Sequence, residues 1–536
     1  MNMLPEALLR PVLSRTELLT LPRPDALSPL RLAVHRNHSF ELVASVLNVF
    51  LAQSGLEATL WYSAYDDSLS FADALPSADV HLLWVDCARY GAADLGEWLT
   101  ERALELQTRI ADPIVVCTLG ALGTARTDLP NIYFHDLSHE LAPLGARALD
   151  ERLAPLSGTR LSNAACLEAA RLLGLRWLPS CFFQPIKALA LDCDNTLYAG
   201  VLGEDGPKQV SPHVDVQRHL LELKRQGVLL TLVSKNEEDD VRDLFEQRGD
   251  FLLRWEDFAA RAINWAPKPE NIRYLAHQLN IATDAMLFVD DNPGELLQAA
   301  QALPELRLVA ATSPEATVRG LRYCPLLGKA HLTAEDSIRS GDVRANAQRQ
   351  QWRATLSPAE YRRRLRIRLM VAVNPRAQAR RIAELCNKAN QFVFTFLRPS
   401  EQQVRHYMTS PEAVCVTCSM RDTLSDSGLI AVVLARAEEN TLRVEELAVS
   451  CRALGRGVET GMLFLMLTHA CAALACEAVT LSCSVGPRNA PARQWLQEHW
   501  PGMRTSVSAL AQVNQLKGDL SDVEIVYPAH DKEAAA

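Results

Sequence analysis

The chain has 536 residues, 48% of them hydrophobic and 22% charged, a composition that implies several folded domains and excludes a disordered scaffold. Its formal net charge of -9 argues against a nucleic-acid binder that works by neutralising phosphates. The N-terminus "MNMLPEALLRPVLSRTELL" lacks the basic start and long apolar core of a signal peptide, and no apolar run reaches about 18 residues, so a cytoplasmic protein without membrane spans is expected.

From about residue 30 to 180, strand-like and helix-like segments alternate: "LRLAVH", "SFELVASVLNVFLAQSG", "VHLLWVD", "LGEWLTERALELQTRI", "PIVVCTL" and "NAACLEAARLLG". That pattern predicts an α/β domain over 1–182 with a parallel sheet. Within it, Ser39 in "HRNHSF" offers either a nucleophile beside His38 or an ordinary helix N-cap. A second α/β domain is predicted over 183–330 from "KALALDCD", "DVQRHLLELKRQ", "GVLLTLVSK", "EEDDVRDLFEQR", "AMLFVDDN" and "GELLQAAQAL". Three of its strands end in polar residues, which in a doubly wound, Rossmann-like sheet meet along one edge and imply a single site.

Residues 331–363 read as a helical linker, with "SPAE" at 357–360 a capping box carrying proline at the first helical position. Alternation of Arg364, Arg366 and Arg368 with Leu365, Ile367 and Leu369 predicts a half-buried strand opening a third, α+β domain over 364–530. The thirteen cysteines are scattered through apolar segments and read as reduced, buried thiols. Cys415 and Cys418 form a CxxC inside the strand-like "AVCVTCSM", with no second ligand pair to complete a zinc site.

The chemistry concentrates in "LDCDNTLYAG", 191–200, where Asp192 and Asp194 fall on the same side of an extended segment while staggered along it. One carboxylate can attack and the other transfer a proton. "FVDDNP" adds Asp290, Asp291 and Asn292 from another strand end, an oxygen-rich set that suits Mg²⁺. Ser234 at the end of "LLTLVSKN" and Lys268 in "NWAPKPENI" supply a hydroxyl and a point charge for phosphate.

These residues, in this order, resemble the four motifs of the haloacid-dehalogenase (HAD) superfamily: "DCDNT", Ser234, Lys268 and the "DD" at 290 and 291. The resemblance implies that Asp192 attacks phosphorus and that Asp194 protonates the leaving oxygen, then activates water. It also implies that Thr196, Ser234 and Lys268 hold the phosphate. Mg²⁺ would bind Asp192, the backbone carbonyl of Asp194, and Asp290, with Asp291 beside them. More narrowly, "LYAGVLGEDGP", "SKN" at 234–236, "KPENI", "NKANQF" at 387–392 and "SCRALGRGVE" at 450–459 resemble the FkbH-like proteins of subfamily IIIC. Tyr198 stands where that family has tryptophan, Ala199 where it has glycine, and "QFVFT" replaces its usual "QFNLT".

The narrower resemblance implies transfer of a glyceryl unit from 1,3-bisphosphoglycerate to the phosphopantetheine thiol of an acyl carrier protein, with loss of phosphate, for a polyketide-type pathway. Lys235 and Asn236 would then hold the remaining phosphate or the glyceryl hydroxyls. Cys193 has two readings, a nucleophile that carries the acyl group or a small apolar filler turned into the core. In the third domain, Arg452, Gly455, Arg456 and Gly457 form RxxGxG before a helix, and the segment resembles the GNAT-type N-acetyltransferase fold, in which that loop holds the pantetheine arm. The alternative function is a phosphatase fused to an acetyl-coenzyme A-dependent acyltransferase. The first domain loosely resembles an SGNH-type hydrolase module.

Overall fold

The computed structural model describes residues 3–527 apart from 25, 72–73, 91–94, 126–128, 130, 153, 328–344, 346–347, 350–351, 354, 390, 451–452, 487–488, 501–503, 507–519 and 521. The chain is a multidomain α/β protein that divides into two compact units near residue 337. No described helix is long and apolar enough to cross a membrane. The linker predicted at 331–363 lies mostly outside the described residues.

The first unit holds two parallel five-stranded sheets. One comprises β1 (Ser28–Arg36), β2 (Leu56–Tyr65), β3 (Val80–Asp86), β4 (Ile114–Leu119) and β5 (Ile132–Asp136), in the order β2-β1-β3-β4-β5. The other comprises β6 (Ala188–Leu191), β9 (Leu229–Ser234), β10 (Phe258–Ile263), β11 (Met286–Asp290) and β12 (Arg307–Ala310), in the order β10-β9-β6-β11-β12. Between β6 and β9 a small hairpin forms from β7 (Tyr198–Ala199) and β8 (Ser211–Pro212). Inner strands β3, β4, β6, β9 and β11 are buried at every residue, because helices cover both faces of a parallel sheet. In the second sheet the order of connection reverses at β6, so β6 and β11 flank the switch point, where the carboxyl ends of strands leave a crevice for a ligand.

A buried polar knot ties elements of this unit together. Arg171, on the helix Asn163–Leu172, pairs with Glu168 and stacks 3.8 Å over the ring of Tyr323, from the helix Pro314–Tyr323. The Tyr323 hydroxyl donates to Glu168 at 2.7 Å and accepts from Arg171 at 3.0 Å. The same guanidinium donates to the backbone carbonyls of Leu8 and Arg10.

The second unit is built on a mixed, largely antiparallel sheet of β13 (Arg368–Val373), β14 (Phe392–Val393), β15 (Ala413–Arg421), β16 (Asp426–Glu438), β17 (Thr441–Val449), β18 (Ala478–Thr480), β19 (Arg504–Ser506) and β20 (Glu524–Val526). Its main path runs β19-β18-β17-β16-β15-β13-β20, with β14 against β17. The capping box forms as expected, Ser357 and Glu360 each bonding the other's backbone N–H, but its helix Pro358–Leu365 takes up Arg364. Arg366 then turns in the left-handed region at φ 46° and the strand starts only at Arg368, so the arginine alternation overstates the strand's beginning. The twelve described cysteines are free and all but Cys87, Cys181 and Cys483 are buried, Cys415 and Cys418 among them within β15.

Removing one partner of a buried ion pair leaves the other charge uncompensated. Arg171→Ala should therefore cost the first unit about 3–5 kcal/mol, read as a lower chemical-denaturation midpoint, with Tyr323→Phe costing less.

Candidate active site

The site assembles at the carboxyl edge of the second sheet. The chain leaves β6 with the Asp192 N–H donating to the Val289 carbonyl of β11, then turns sharply, the N–H groups of Thr196 and Leu197 both donating to the Cys193 carbonyl. Asn195 takes the left-handed φ of 52° that this turn requires. Its side-chain oxygen accepts from the Gly200 N–H at 3.1 Å.

Lys268 opens the helix Lys268–Gln278 and reaches back to the strand ends. Its ammonium lies 2.8 Å from Asp192 Oδ1 and 2.5 Å from Asp290 Oδ2, and all three side chains are buried. The loop before it is pinned by Asn264, whose N–H donates to the Ser234 carbonyl and whose side chain bonds that of Asn271. Burial works against the charge on Lys268, but its two carboxylate neighbours outweigh that effect and hold its pKa above the ordinary lysine value. Burial likewise raises the carboxyls of Asp192 and Asp290, with Lys268 opposing the rise.

Asp192, Asp290 and Asp291 each offer an oxygen within 4.8 Å of the others, and among the described residues they are the one such group of three His, Cys, Asp or Glu. Three carboxylates around one ammonium leave an excess of two negative charges, so the oxygen donor set fits a hard divalent cation such as Mg²⁺. The Asp194 carboxylate is outside that group. Its Oδ1 accepts from the Tyr198 hydroxyl at 2.8 Å and the Leu202 N–H at 2.9 Å, and its Oδ2 from the Asn236 amide at 2.9 Å. Asn236 also donates to the buried Ser234 hydroxyl at 3.1 Å, linking the ends of β6 and β9. Thr196 is buried, with its hydroxyl lacking a hydrogen-bond partner among the described residues.

Cys193, within reach of the Ser234 side chain, is closed off from solvent. It is fully buried in the apolar core of this sheet, where desolvation pushes its thiol well above the usual value. A nucleophile needs access and a thiolate, so this burial favours packing over the acyl-carrying reading of Cys193. Lys235 forms an ion pair with Glu295 at 2.5 Å rather than joining the aspartates. Sequence reasoning missed Tyr198 as the group that orients Asp194. The signal was its place where the family that the motif resembles has tryptophan, another ring bearing a hydrogen-bond donor. Ala199 sits in β7 outside the left-handed region, so no glycine is required there.

Elsewhere the expected sites fare differently. Ser39 donates to Glu41 at 2.6 Å, while His38 bonds Thr159, so no Ser–His pair forms, and the N-cap of the helix Glu41–Leu51 is Phe40. In the second unit Gly455 and Gly457 adopt φ of 84° and 76°, backbone that glycine alone takes readily. Arg452 lies outside the described residues. Arg456, expected to face pantetheine, is buried instead. Its guanidinium is 3.0 Å from Asp422 and donates to Ser427 at 2.7 Å, and Asp422 is held from a second direction by a forked contact with Arg349.

No protein-family model matches the chain and no curated protein matches it. Among solved structures it is similar to the N-terminal part of the protein BF1531 from Bacteroides fragilis, which contains a phosphatase domain and was crystallised with Mg. That likeness has 19% identity and a TM-score of 0.45, and covers 61% of this chain and 98% of that one. A fainter one, at 10% identity and a TM-score of 0.14, covers 60% of this chain and 92% of Glycyrrhiza uralensis UGT73P12. The chemistry of the site rests on its own geometry.

Replacing Lys268 by Met should leave buried Asp192 and Asp290 without their shared cation, at a cost of about 3–5 kcal/mol. The melting temperature should fall in EDTA and recover more steeply with added Mg²⁺ than that of the parent protein, as a thermal melt across a Mg²⁺ titration would show.

Proposed function

We propose that the first unit is a Mg²⁺-dependent phosphoryl-transfer enzyme of the haloacid-dehalogenase type. The observation that carries this reading is the meeting of Asp192, Asp290 and Asp291 around Lys268 at the switch point of a parallel sheet, with Ser234 and Asp194 alongside. Asp192 forms the bond to phosphorus as the bond to the leaving oxygen breaks, giving an aspartyl phosphate. Asp194 donates a proton to that oxygen, then takes one from the water that hydrolyses the intermediate. Asn236 donates to Asp194 Oδ2 and to the Ser234 hydroxyl, which keeps the acid–base carboxylate beside the hydroxyl that would hold the phosphate. Mg²⁺ held by Asp192, Asp290 and Asp291 would supply charge neutralisation for the phosphoryl oxygens.

The finer reading is glyceryl transfer. The phosphopantetheine thiol of an acyl carrier protein attacks the acyl carbon of 1,3-bisphosphoglycerate, expelling inorganic phosphate and forming a thioester. The phosphoryl group of the remaining ester then passes to Asp192, its bond to the glyceryl oxygen breaking as that oxygen takes the proton of Asp194. The burial of Cys193 favours direct attack by the carrier thiol over an acyl-cysteine relay. The loop with Gly455 and Gly457 is the part of the second unit suited to the pantetheine arm, through backbone N–H groups at the start of the helix Glu459–Leu474.

Intact-mass spectrometry of a pantetheinylated carrier, incubated with the protein, Mg²⁺ and 1,3-bisphosphoglycerate, should show a gain of one dephosphorylated glyceryl unit. Asp192→Asn should leave the product phosphorylated or unformed, while Cys193→Ala should still load the carrier; an unloaded carrier with the parent protein would defeat the transferase reading. With Tyr198→Phe, phosphate release should slow about fivefold in kcat with little change in KM, because Asp194 loses an orienting donor of roughly 1 kcal/mol.

A further inference from the structure

One strong contact at the site has no part in the chemistry just described. β9 and β11 pair with β6 from opposite sides, and each is followed by one member of an ion pair. Lys235 comes directly after Ser234 at the end of β9, and Glu295 stands in the first turn of the helix Pro293–Ala302, which follows β11. Lys235 Nζ and Glu295 Oε1 are 2.5 Å apart, so the pair joins the two strand ends that flank Asp192 and Asp194. Both chain neighbours of Lys235 are in the site, Ser234 through its hydroxyl and Asn236 through its bonds to Ser234 and Asp194.

The two partners differ in how they are held. The Lys235 side chain is 38% exposed, whereas that of Glu295 is 13% exposed, and Glu295 Oε2 is buried with no hydrogen-bond partner among the described residues. Among the described residues neither charged group makes another hydrogen bond, and there the lysine is the carboxylate's one charged support. A half-exposed ammonium can turn to another anion and keep its own charge paired, but Glu295 is then left without its counter-ion, and that cost is the competition an incoming anion has to overcome.

We propose that Lys235 and Glu295 form an exchangeable latch that selects small phosphate esters bearing a second anionic group. With the phosphoryl group at Asp192, the second phosphate or carboxylate of the substrate takes Lys235 from Glu295. A substrate with one anionic group leaves the pair intact and gains nothing from the lysine, so competition by Glu295 sets the threshold for discrimination. This inference rests on the phosphoryl-transfer reading.

The test is calorimetric titration of the full chain in Mg²⁺ with two probes, methyl phosphate, which has one anionic group, and phosphoglycolate, which has a phosphate and a carboxylate. The parent protein should bind phosphoglycolate more tightly. Glu295→Gln should tighten phosphoglycolate further, about fivefold, with methyl phosphate changed less than about twofold, a size set by the coupling of a partly exposed ion pair. Lys235→Met should abolish the preference for phosphoglycolate. Equal changes for both probes in Glu295→Gln, weaker phosphoglycolate binding in that variant, a preference surviving in Lys235→Met, or no binding of either probe would overturn the latch. Failure of the underlying reading shows separately, as Mg²⁺-dependent phosphate release from p-nitrophenyl phosphate that Asp192→Asn leaves intact.

Discussion

A single ammonium group, that of Lys268, makes the rest of the site possible. Burying two carboxylates side by side is costly, because each is stripped of water and repelled by the other. Lys268 lies within hydrogen-bonding distance of both Asp192 and Asp290, which allows β6 and β11 to end in acids while remaining buried neighbours. The ammonium cancels only part of the charge once Asp291 is counted, and the remaining negative charge gives the cluster the donor set that a divalent cation would suit. Stability of the sheet edge and the concentration of negative charge there thus have the same electrostatic origin.

Around that centre, hydrogen bonds divide the two acids of "DCDNT" between separate tasks. Asp192 belongs to the charged cluster, while Asp194 is turned toward Tyr198, Leu202 and Asn236. The left-handed Asn195 sharpens the turn that follows the two acids and leads to Tyr198 in the hairpin. Between the acids, Cys193 is fully buried and packs with the apolar core of the sheet. In the second unit, Arg456 sits in a loop whose glycines look suited to a phosphate, but its side chain helps to neutralise Asp422 inside the protein.

The legibility of the fold depended on how deeply each strand is covered. In both parallel sheets the inner strands are apolar runs that stand out in the sequence: "LRLAVH", "VHLLWVD" and "PIVVCTL" in one, "KALALDCD", "GVLLTLVSK" and "AMLFVDDN" in the other. The edge strands β2, β5, β10 and β12 were not read, because only part of each is buried and their mixed patterns, such as "LEATLWYSAY" and "RLVA", resemble surface segments. The start of β13 was misplaced for a related reason: alternating arginines fit a strand period, but the capping box ahead of them had already begun a helix that includes Arg364.

The sequence by itself determined the α/β class, the inner strands and the identity of the groups at the sheet edge, since acids and hydroxyls at the ends of buried strands have little structural reason to be there. Only the tertiary structure decided which of those groups meet. Side-chain partners separated by tens of residues, such as Lys268 with Asp192, Lys235 with Glu295 and Arg456 with Asp422, are set by strand order and loop path, and neither is written in local periodicity. Residue types announce what chemistry a chain can perform, whereas the distances that pair a lysine or an arginine with one particular carboxylate arise only when the sheet is assembled.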